Sequence, residues 1–446
     1  MKNCIKNKKI EWVQLITLCI ILFIDCALFN SGGYGIGRIF TLLIIFGSLF
    51  LNIEKLLFLI IFCLPFSGVL KLSENSITIM PILYLIATFK LIIQSEEKYD
   101  LNGILAIGGV FFLQILSCII YGAQLISSIA FLLSAIFVFL IGKKLSKQVW
   151  EEGYLLKNIA LFFVVAVCLE TISADAFPRV PYYISLEKHL VALSGNRFAA
   201  LSIDPNEYAQ HVLIALGLIV AVFPVIKNPF VKFSCIPPII FLGYKGFLTY
   251  SKSYALTLLV LFVILAGIFL FKFVKNRGKE ALILIIPLCL ITILGGYLIY
   301  QNILQAIFEK RSDTELLSGR GDVWRYYITQ ILYRFDCLLL GCGASNTLYI
   351  VRGLTEYVPH NLYIEYLVQF GLIGLVSLYF IFKESIKGII EKTGTYMMLP
   401  ILLFLITSLG ISANANDTIF FILVIACIPY YQKSENRRGM NDKNKN

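Results

Sequence analysis

Residues 101–121 read LNGILAIGGVFFLQILSCIIY, without one charged side chain. A bilayer's hydrocarbon core is about 30 Å thick, which about 20 helical residues cross. Inside lipid the backbone amides must bond within their own segment, so the run reads as a membrane-spanning α-helix. The same pattern recurs along the chain. Spans are expected near 10–29, 37–52, 55–71, 77–94, 101–121, 123–141, 154–174, 208–226, 233–250, 253–274, 281–300, 361–383, 396–412 and 417–432, about 14 in all. Composition agrees. With 59% hydrophobic and 15% charged residues and a mean hydropathy of +0.83, the 446 residues lack the polar surface of a soluble domain. The expected class is an all-α polytopic membrane protein. The pair 233–250 and 253–274 is the least regular, and Pro237, Pro238, Gly243 and Gly246 suit a broken or partly re-entrant segment. The apolar run after Lys9 lacks a small-residue cleavage site and reads as the first span rather than a leader.

Basic residues orient the bundle. Lys2, Lys6, Lys8 and Lys9, then Lys143, Lys144 and Lys147, then Lys272, Lys275, Arg277 and Lys279, then Lys383, Lys387 and Lys392, and finally Arg437 and Arg438 fall on one set of loops. That set is expected to be cytoplasmic, with both termini. The opposite loops are short except 175–207 and 301–360, which face outside. The chain then divides into a helix bundle (1–174), further spans with an outer loop (175–300), a large outer loop (301–360), C-terminal spans (361–432) and a basic tail (433–446). The net charge of +11 is a topology signal, and scattered over short loops it argues against nucleic-acid binding. Eleven cysteines lie mostly in spans as small apolar residues. Cys337 and Cys342 lie in the outer loop and either pair, if the exterior is oxidising, or stay as thiols. No Cys/His spacing suits zinc.

Eight of the eleven arginines fall outside: Arg38, Arg179, Arg197, Arg311, Arg320, Arg325, Arg334 and Arg352. This runs against the positive-inside rule and against a chain richer in lysine. Arginine's planar fork binds phosphate oxygens through paired hydrogen bonds and keeps its charge when partly dehydrated. An outer diphosphate site is one reading. Pairing with Asp313, Glu315, Asp322, Asp336 or Glu356 is the other.

Four segments could carry chemistry. Ser318-Gly319-Arg320-Gly321-Asp322-Val323-Trp324-Arg325 reads as a glycine-rich turn entering a helix with Asp322 as N-cap. Trp324, Tyr327, Ile328, Ile331 and Leu332 would form one apolar face on the membrane surface. Arg320 would then precede a helix N-terminus, where free amides favour anions; an interfacial helix with snorkelling arginines is the alternative. Pro359 places His360 in the first turn of the span near 361–383. The helix dipole and the arginines disfavour a protonated ring, leaving it able to accept a proton, unless it is merely interfacial. Asn361, Glu365 and Gln369 make a polar stripe on that span, while Gly371 and Gly374 suit close helix packing. Asp204-Pro205-Asn206 marks a turn and helix start, with Arg197 upstream as a second phosphate candidate. His189 and His211 read as ordinary loop and helix-flank residues. Lys252, between two spans, either meets a phosphate or snorkels.

In this order, Arg197 through Asn206, Thr249 through Ser253, Ser318-Gly319-Arg320 with Trp324, and His360-Asn361 followed by Gly371-Leu372-Ile373-Gly374 resemble the O-antigen ligase/polymerase family. These are bacterial membrane glycosyltransferases that use polyprenyl-diphosphate glycans. The resemblance covers roughly 190–382; the first 150 residues match only as a hydrophobic frame. It implies a GT-C-like bundle in the cytoplasmic membrane with an extracytoplasmic active site, and maps the family's loop arginine and loop-end histidine onto Arg320 and His360. The family's span-edge basic residue is often arginine; Lys252 stands there and gives up the two-pronged contact. The implied donor is a glycan on undecaprenyl diphosphate. Arg320, with Arg197, Lys252 and Arg325, would neutralise the departing diphosphate, and His360 would take the proton of the attacking sugar hydroxyl. Asn206, Asn361, Glu365 and Trp324 would bind or orient the glycan. Direct displacement inverts the anomeric centre. No cofactor is expected, nor a metal, since an Asp-x-Asp motif is absent. Expected partners are membrane lipid, the lipid-linked oligosaccharide, and a chain-length regulator and flippase of the same pathway. A polymerase building a capsular, exopolysaccharide or O-antigen chain is the first reading. A ligase moving glycan to a lipid or protein acceptor is the second, and a lipid-linked glycan flippase the non-enzymatic alternative.

Overall fold

A computed structural model describes residues 2–30, 34–70, 78–94, 100–147, 153–176, 198–202, 204–277, 320–351, 358–411 and 416–429. Arg197, the span expected at 281–300, the Ser318-Gly319 turn and the basic tail lie outside the described residues. Among those described, the protein is helical and has no strand. Six helices are long and apolar enough to cross a membrane: Ile10–Leu28, Leu101–Tyr121, Leu125–Ser146, Tyr154–Ala176, Pro205–Val225 and Leu362–Ile381. Shorter apolar helices fill the spaces between them.

The chain opens with a hairpin of α1 (Lys2–Asn30) and α2 (Tyr34–Ser48). Then come α3 (Ile53–Cys63), α4 (Met80–Gln94), α5 (Leu101–Tyr121), α6 (Leu125–Lys147) and α7 (Tyr154–Ala176). Next, α8 (Pro205–Val222) precedes two short pieces, α9 (Pro229–Ser234) and α10 (Ile236–Phe247), and the longer α11 (Lys252–Arg277). The irregularity read at 233–250 is real: the chain turns at Cys235 just ahead of Pro237 and Pro238. The 12 residues of α10 reach only about 18 Å, too short to cross a bilayer. After α12 (Arg320–Tyr333) and α13 (Phe335–Leu340), the bundle closes with α14 (Leu362–Ile381), α15 (Lys383–Glu391), α16 (Met398–Thr407) and α17 (Asn416–Cys427).

Among the six candidate spans the most enclosed is α8, packed against α7, α10, α11 and α16. Gly217 sets its distance from α16: a Cβ there would lie 2.8 Å from Leu403 Cδ1 and 3.0 Å from the Pro400 backbone.

The middle of α14 is built around a break. Gly371 adopts φ 60° and ψ −178°, and the helix kinks there. The carbonyls of Val368 and Gln369 accept instead from the amides of Cys342 (2.7 Å) and Gly343 (2.9 Å). Two backbones touch at this point, since a Cβ on Gly341 would lie 2.4 Å from the Gln369 carbonyl oxygen. Gly371 therefore serves close packing, as its spacing from Gly374 suggests, but against the C-terminal end of α13 at Leu339 and the loop that leaves it at Gly341. That loop descends beside α5, where Ser117 Oγ donates to the Gly341 carbonyl (3.2 Å) and Ala344 N donates to Gln114 Oε1 (2.8 Å). Gln114 is seven residues, about 10 Å, along α5 from its end at Tyr121. Irregular backbone at such depth survives only where protein groups satisfy it. Part of the segment read as an outer loop thus packs between α5 and α14.

Cys337 and Cys342 sit in this region as buried free thiols. Arg334 is committed to a clasp there. Its Nε and Nη2 donate to Asp336 at 3.2 and 3.0 Å, and Tyr121 Oη donates to the same carboxylate at 3.0 Å. The guanidinium, helped by Tyr121, holds the Asp336 carboxyl down at about 2.

Candidate functional site

The α8 entrance follows directly from its sequence. Asp204 caps the helix, accepting from the Asn206 amide (2.8 Å) and from Asn206 Nδ2 (2.9 Å), with Pro205 at the first helical position. The side-chain oxygen of Asn206 then accepts from Ser251 Oγ at 2.8 Å, and Ser251 Oγ lies 2.9 Å from Ser253 Oγ. Ser251 also starts α11: its carbonyl accepts from Ala255 N (3.2 Å) and its hydroxyl from Tyr254 N (3.3 Å). Lys252 is consequently the first helical residue. A cation opposes the exposed amides of a helix start unless an anion lies between them.

The penultimate helix supplies the next contacts. Gln210 Nε2 donates to Thr407 Oγ1 (2.9 Å) and Ser408 Oγ (3.4 Å). Two residues on, the Gly410 carbonyl accepts from Arg320 Nη1 at 3.1 Å. A Cβ on Gly410 would lie 3.0 Å from that nitrogen and 3.4 Å from Ser253 Cβ, so Arg320 and Ser253 meet over this glycine.

Arg320 is already helical, so Asp322 lies in the first turn of α12 rather than at its cap. Arg320 and Trp324 are four residues apart and share a face. Trp324 Nε1 donates to the Pro359 carbonyl at 2.7 Å. The apolar face read for this helix divides: Tyr327 and Ile331 pack into a small core with Tyr121, Cys337 and Val368, while Ile328 and Leu332 stay exposed. Arg325 is exposed, roughly 140° around the helix from Arg320.

His360 lies before the helix, not in its first turn. Asn361 is the N-cap of α14, its Oδ1 accepting from Tyr363 N (3.1 Å) and Ile364 N (3.2 Å). His360 adopts φ +46°, the left-handed region, at a cost of about 1–3 kcal/mol for a non-glycine residue. The Trp324 bond on one side and the Asn361 cap on the other hold it there. Tyr363 Oη donates to the Leu405 carbonyl (2.9 Å), which ties this turn back to α16. Ala200 and Tyr250 are also left-handed, at φ 47° and 48°, on segments joined by the Phe198 N to Leu248 carbonyl bond (3.0 Å). Such strain gathers at functional sites, where surrounding contacts sustain it.

The stripe on α14 turns inward. Glu365 is 2% exposed and acts electrostatically on Tyr327, while Gln369 Nε2 donates to Thr347 Oγ1 (2.8 Å). The arrangement brings together Asn206, Lys252, Arg320, Trp324, His360 and Asn361 through one succession of contacts: Asn206, Ser251, Ser253, Gly410, Arg320, Trp324, Pro359. Arg325 is not part of it. Sequence reasoning missed Gln210, Thr407, Ser408 and Gly410. Their signals were faint: Gln210 follows Asn206 by four residues, and Thr407-Ser408 interrupts an apolar run. Among the described residues, no group of three or more His, Cys, Asp or Glu is placed to hold a metal ion.

Trp324→Phe keeps the ring but removes the donor that fixes the Pro359 carbonyl. It should lower stability by about 1 kcal/mol, read as a small drop in the thermal unfolding midpoint of purified protein. An unchanged midpoint would show that His360 is held by other contacts.

Residues 238–379 match the family model described as O-Antigen ligase. No curated protein and no solved structure matches the chain. The matched stretch runs from within α10 to within α14; Asn206, Gln210 and the 408–410 turn lie outside it. The stretch that supplies Lys252, Arg320 and His360 to this succession of contacts is thus similar to the O-antigen ligase family over residues 238–379, within a helical protein whose long apolar helices suit a membrane.

Proposed function

We propose that this protein is a polymerase that joins undecaprenyl-diphosphate-linked oligosaccharide repeat units into a capsular, exopolysaccharide or O-antigen chain. It works on the outer face of the cytoplasmic membrane, in a GT-C-like bundle of membrane helices with both termini inside. The observation that carries the reading is the coupling of Arg320 and His360 through one helix. Arg320 is seated on Gly410, and Trp324, one turn on, fixes the carbonyl before His360.

In this mechanism the hydroxyl oxygen of one sugar attacks the anomeric carbon of the donor. The bond to the diphosphate oxygen breaks, and the diphosphate leaves with the electron pair. His360 accepts the hydroxyl proton, worth roughly 100- to 10,000-fold in rate. Arg320 and Lys252, with Arg197, stabilise the charge developing on the diphosphate. Asn361 and Trp324 position His360, Asn206 positions the Lys252 turn, and Glu365 orients the α12 side of the site. The displacement inverts the anomeric centre and uses neither metal nor cofactor.

A ligase that moves glycan to a lipid or protein acceptor uses the same groups, and the description of the matching family favours that second reading. Purified protein in vesicles, given a short glycan on undecaprenyl diphosphate, separates these outcomes by mass spectrometry. Lengthened glycan still on lipid supports the polymerase, in the presence of EDTA as in its absence. Transfer only to an added acceptor indicates the ligase. Movement across the bilayer without a new glycosidic bond overturns both in favour of a flippase.

A further inference from the structure

Behind the site, on the far side of α8, lies a buried ionisable couple with no part in the mechanism above. Asn206 and Gln210 on α8 face Ser251 and the Thr407-Ser408 pair; their sequence neighbours Glu207 and His211 repeat the same four-residue spacing one position around the helix. His211 is 2% exposed and Glu170, on α7, is fully buried. His211 Nε2 lies 3.3 Å from Thr418 Oγ1 on α17, and Glu170 Oε1 accepts from Ser202 Oγ at 3.1 Å. The two remaining atoms, His211 Nδ1 and Glu170 Oε2, are 3.9 Å apart and have no other hydrogen-bond partner among the described residues. Glu207 and Asp417 add to the negative field on the ring. In a membrane interior, two such polar atoms are costly unless they satisfy each other. The 3.9 Å gap is too narrow for a bridging water and closes to a hydrogen bond with a shift of about 1 Å.

We propose that Glu170 and His211 are positioning residues of the outer site. The Nδ1 proton of His211, shared with Glu170, locks the first turns of α8 against α7 and α17, and so holds Gln210 on the 407–408 pair whose turn ends in the Gly410 carbonyl that seats Arg320. The couple contacts no reacting atom. It acts through α8, and rests on the polymerase or ligase reading only for its kinetic consequence.

The test uses the purified full-length chain with two independent readouts. One is kcat and KM on a short glycan carried by undecaprenyl diphosphate. The other is amide hydrogen exchange across 204–211 and 405–411, which needs no substrate. His211→Leu should lower kcat at least about tenfold with donor KM changed less than about twofold, since the charge on the leaving group rather than ground-state binding is affected. Exchange in both segments should accelerate. His211→Asn, whose amide nitrogen can take the place of Nδ1, should restore both readouts to within about threefold of wild type. Glu170→Leu combined with His211→Leu should be no worse than either alone. Wild-type kcat and exchange in His211→Leu, or an asparagine variant as impaired as leucine, overturns the proposal. Should the leucine variants not fold, Glu170→Met, similar in length and without a strong acceptor, decides on the same readouts: slowed turnover and faster exchange support it, and wild-type values overturn it. A wild-type chain that transfers no glycan sinks the proposed function instead, and the exchange pattern alone then decides whether the couple positions α8.

Discussion

His360→Ala and Arg320→Ala each leave the protein inserted and abolish long-chain glycan, with single lipid-linked repeat units accumulating. Losing the proton acceptor costs roughly 100- to 10,000-fold. Losing one donor aimed at charge that develops in the transition state costs about 100- to 1,000-fold. Chain growth compounds a rate loss at every addition, so either loss suffices to empty the upper part of a glycan ladder. His360→Gly makes the test sharper. Glycine relaxes the left-handed φ of +46°, so that variant should be inactive yet at least as stable as wild type, which removes unfolding as an explanation. Normal chain length in the alanine variants would refute the assigned roles. Long polymer still attached to lipid would point to a ligase that has lost its transfer step.

The largest structural effect is expected at Gly371. Alanine there must adopt φ 60° and ψ −178°, a region essentially reserved for glycine. Its Cβ would also lie 2.5 Å from Gly341 N and from the Leu339 carbonyl oxygen, both backbone atoms without freedom to yield. A loss of at least about 3 kcal/mol follows, enough to unseat the 341–343 loop from Val368 and Gln369. Thermal unfolding in detergent measures it. Gly108→Ala on α5 is the control: nothing lies within 4 Å of its added methyl, and helix propensity alone should leave it neutral or stabilise it by up to about 1 kcal/mol. Equal unfolding midpoints for the two variants would show that the kink is dispensable.

Helix identity was legible because it is a local property. An uncharged run such as 101–121 has only one way to satisfy its amides in lipid, and Asp100 and Gly122 mark its ends in the sequence itself. The α8 entrance at Asp204-Pro205-Asn206 was legible for the same reason. Span lengths were less so. Cys235 and Gly371 interrupt segments that hydropathy joins, and a window average has no term for a turn. Arg334 and Arg320 look alike in sequence, yet one clasps Asp336 two residues away and the other reaches a carbonyl 90 residues off.

The sequence by itself determined an all-helical membrane protein, the turn and helix start at α8, and the residue types that suit a diphosphate-linked donor. Each depends on neighbours within a few turns of helix. Tertiary structure alone decided that His360 stands outside its helix in a left-handed turn, that the Gly371 kink admits the 341–343 loop, and that Gly410 receives Arg320. It also brought His211 to Glu170. These contacts join segments tens of residues apart through single hydrogen bonds and backbone approaches. Such bonds leave no periodicity in the chain, so only the packed bundle reveals them.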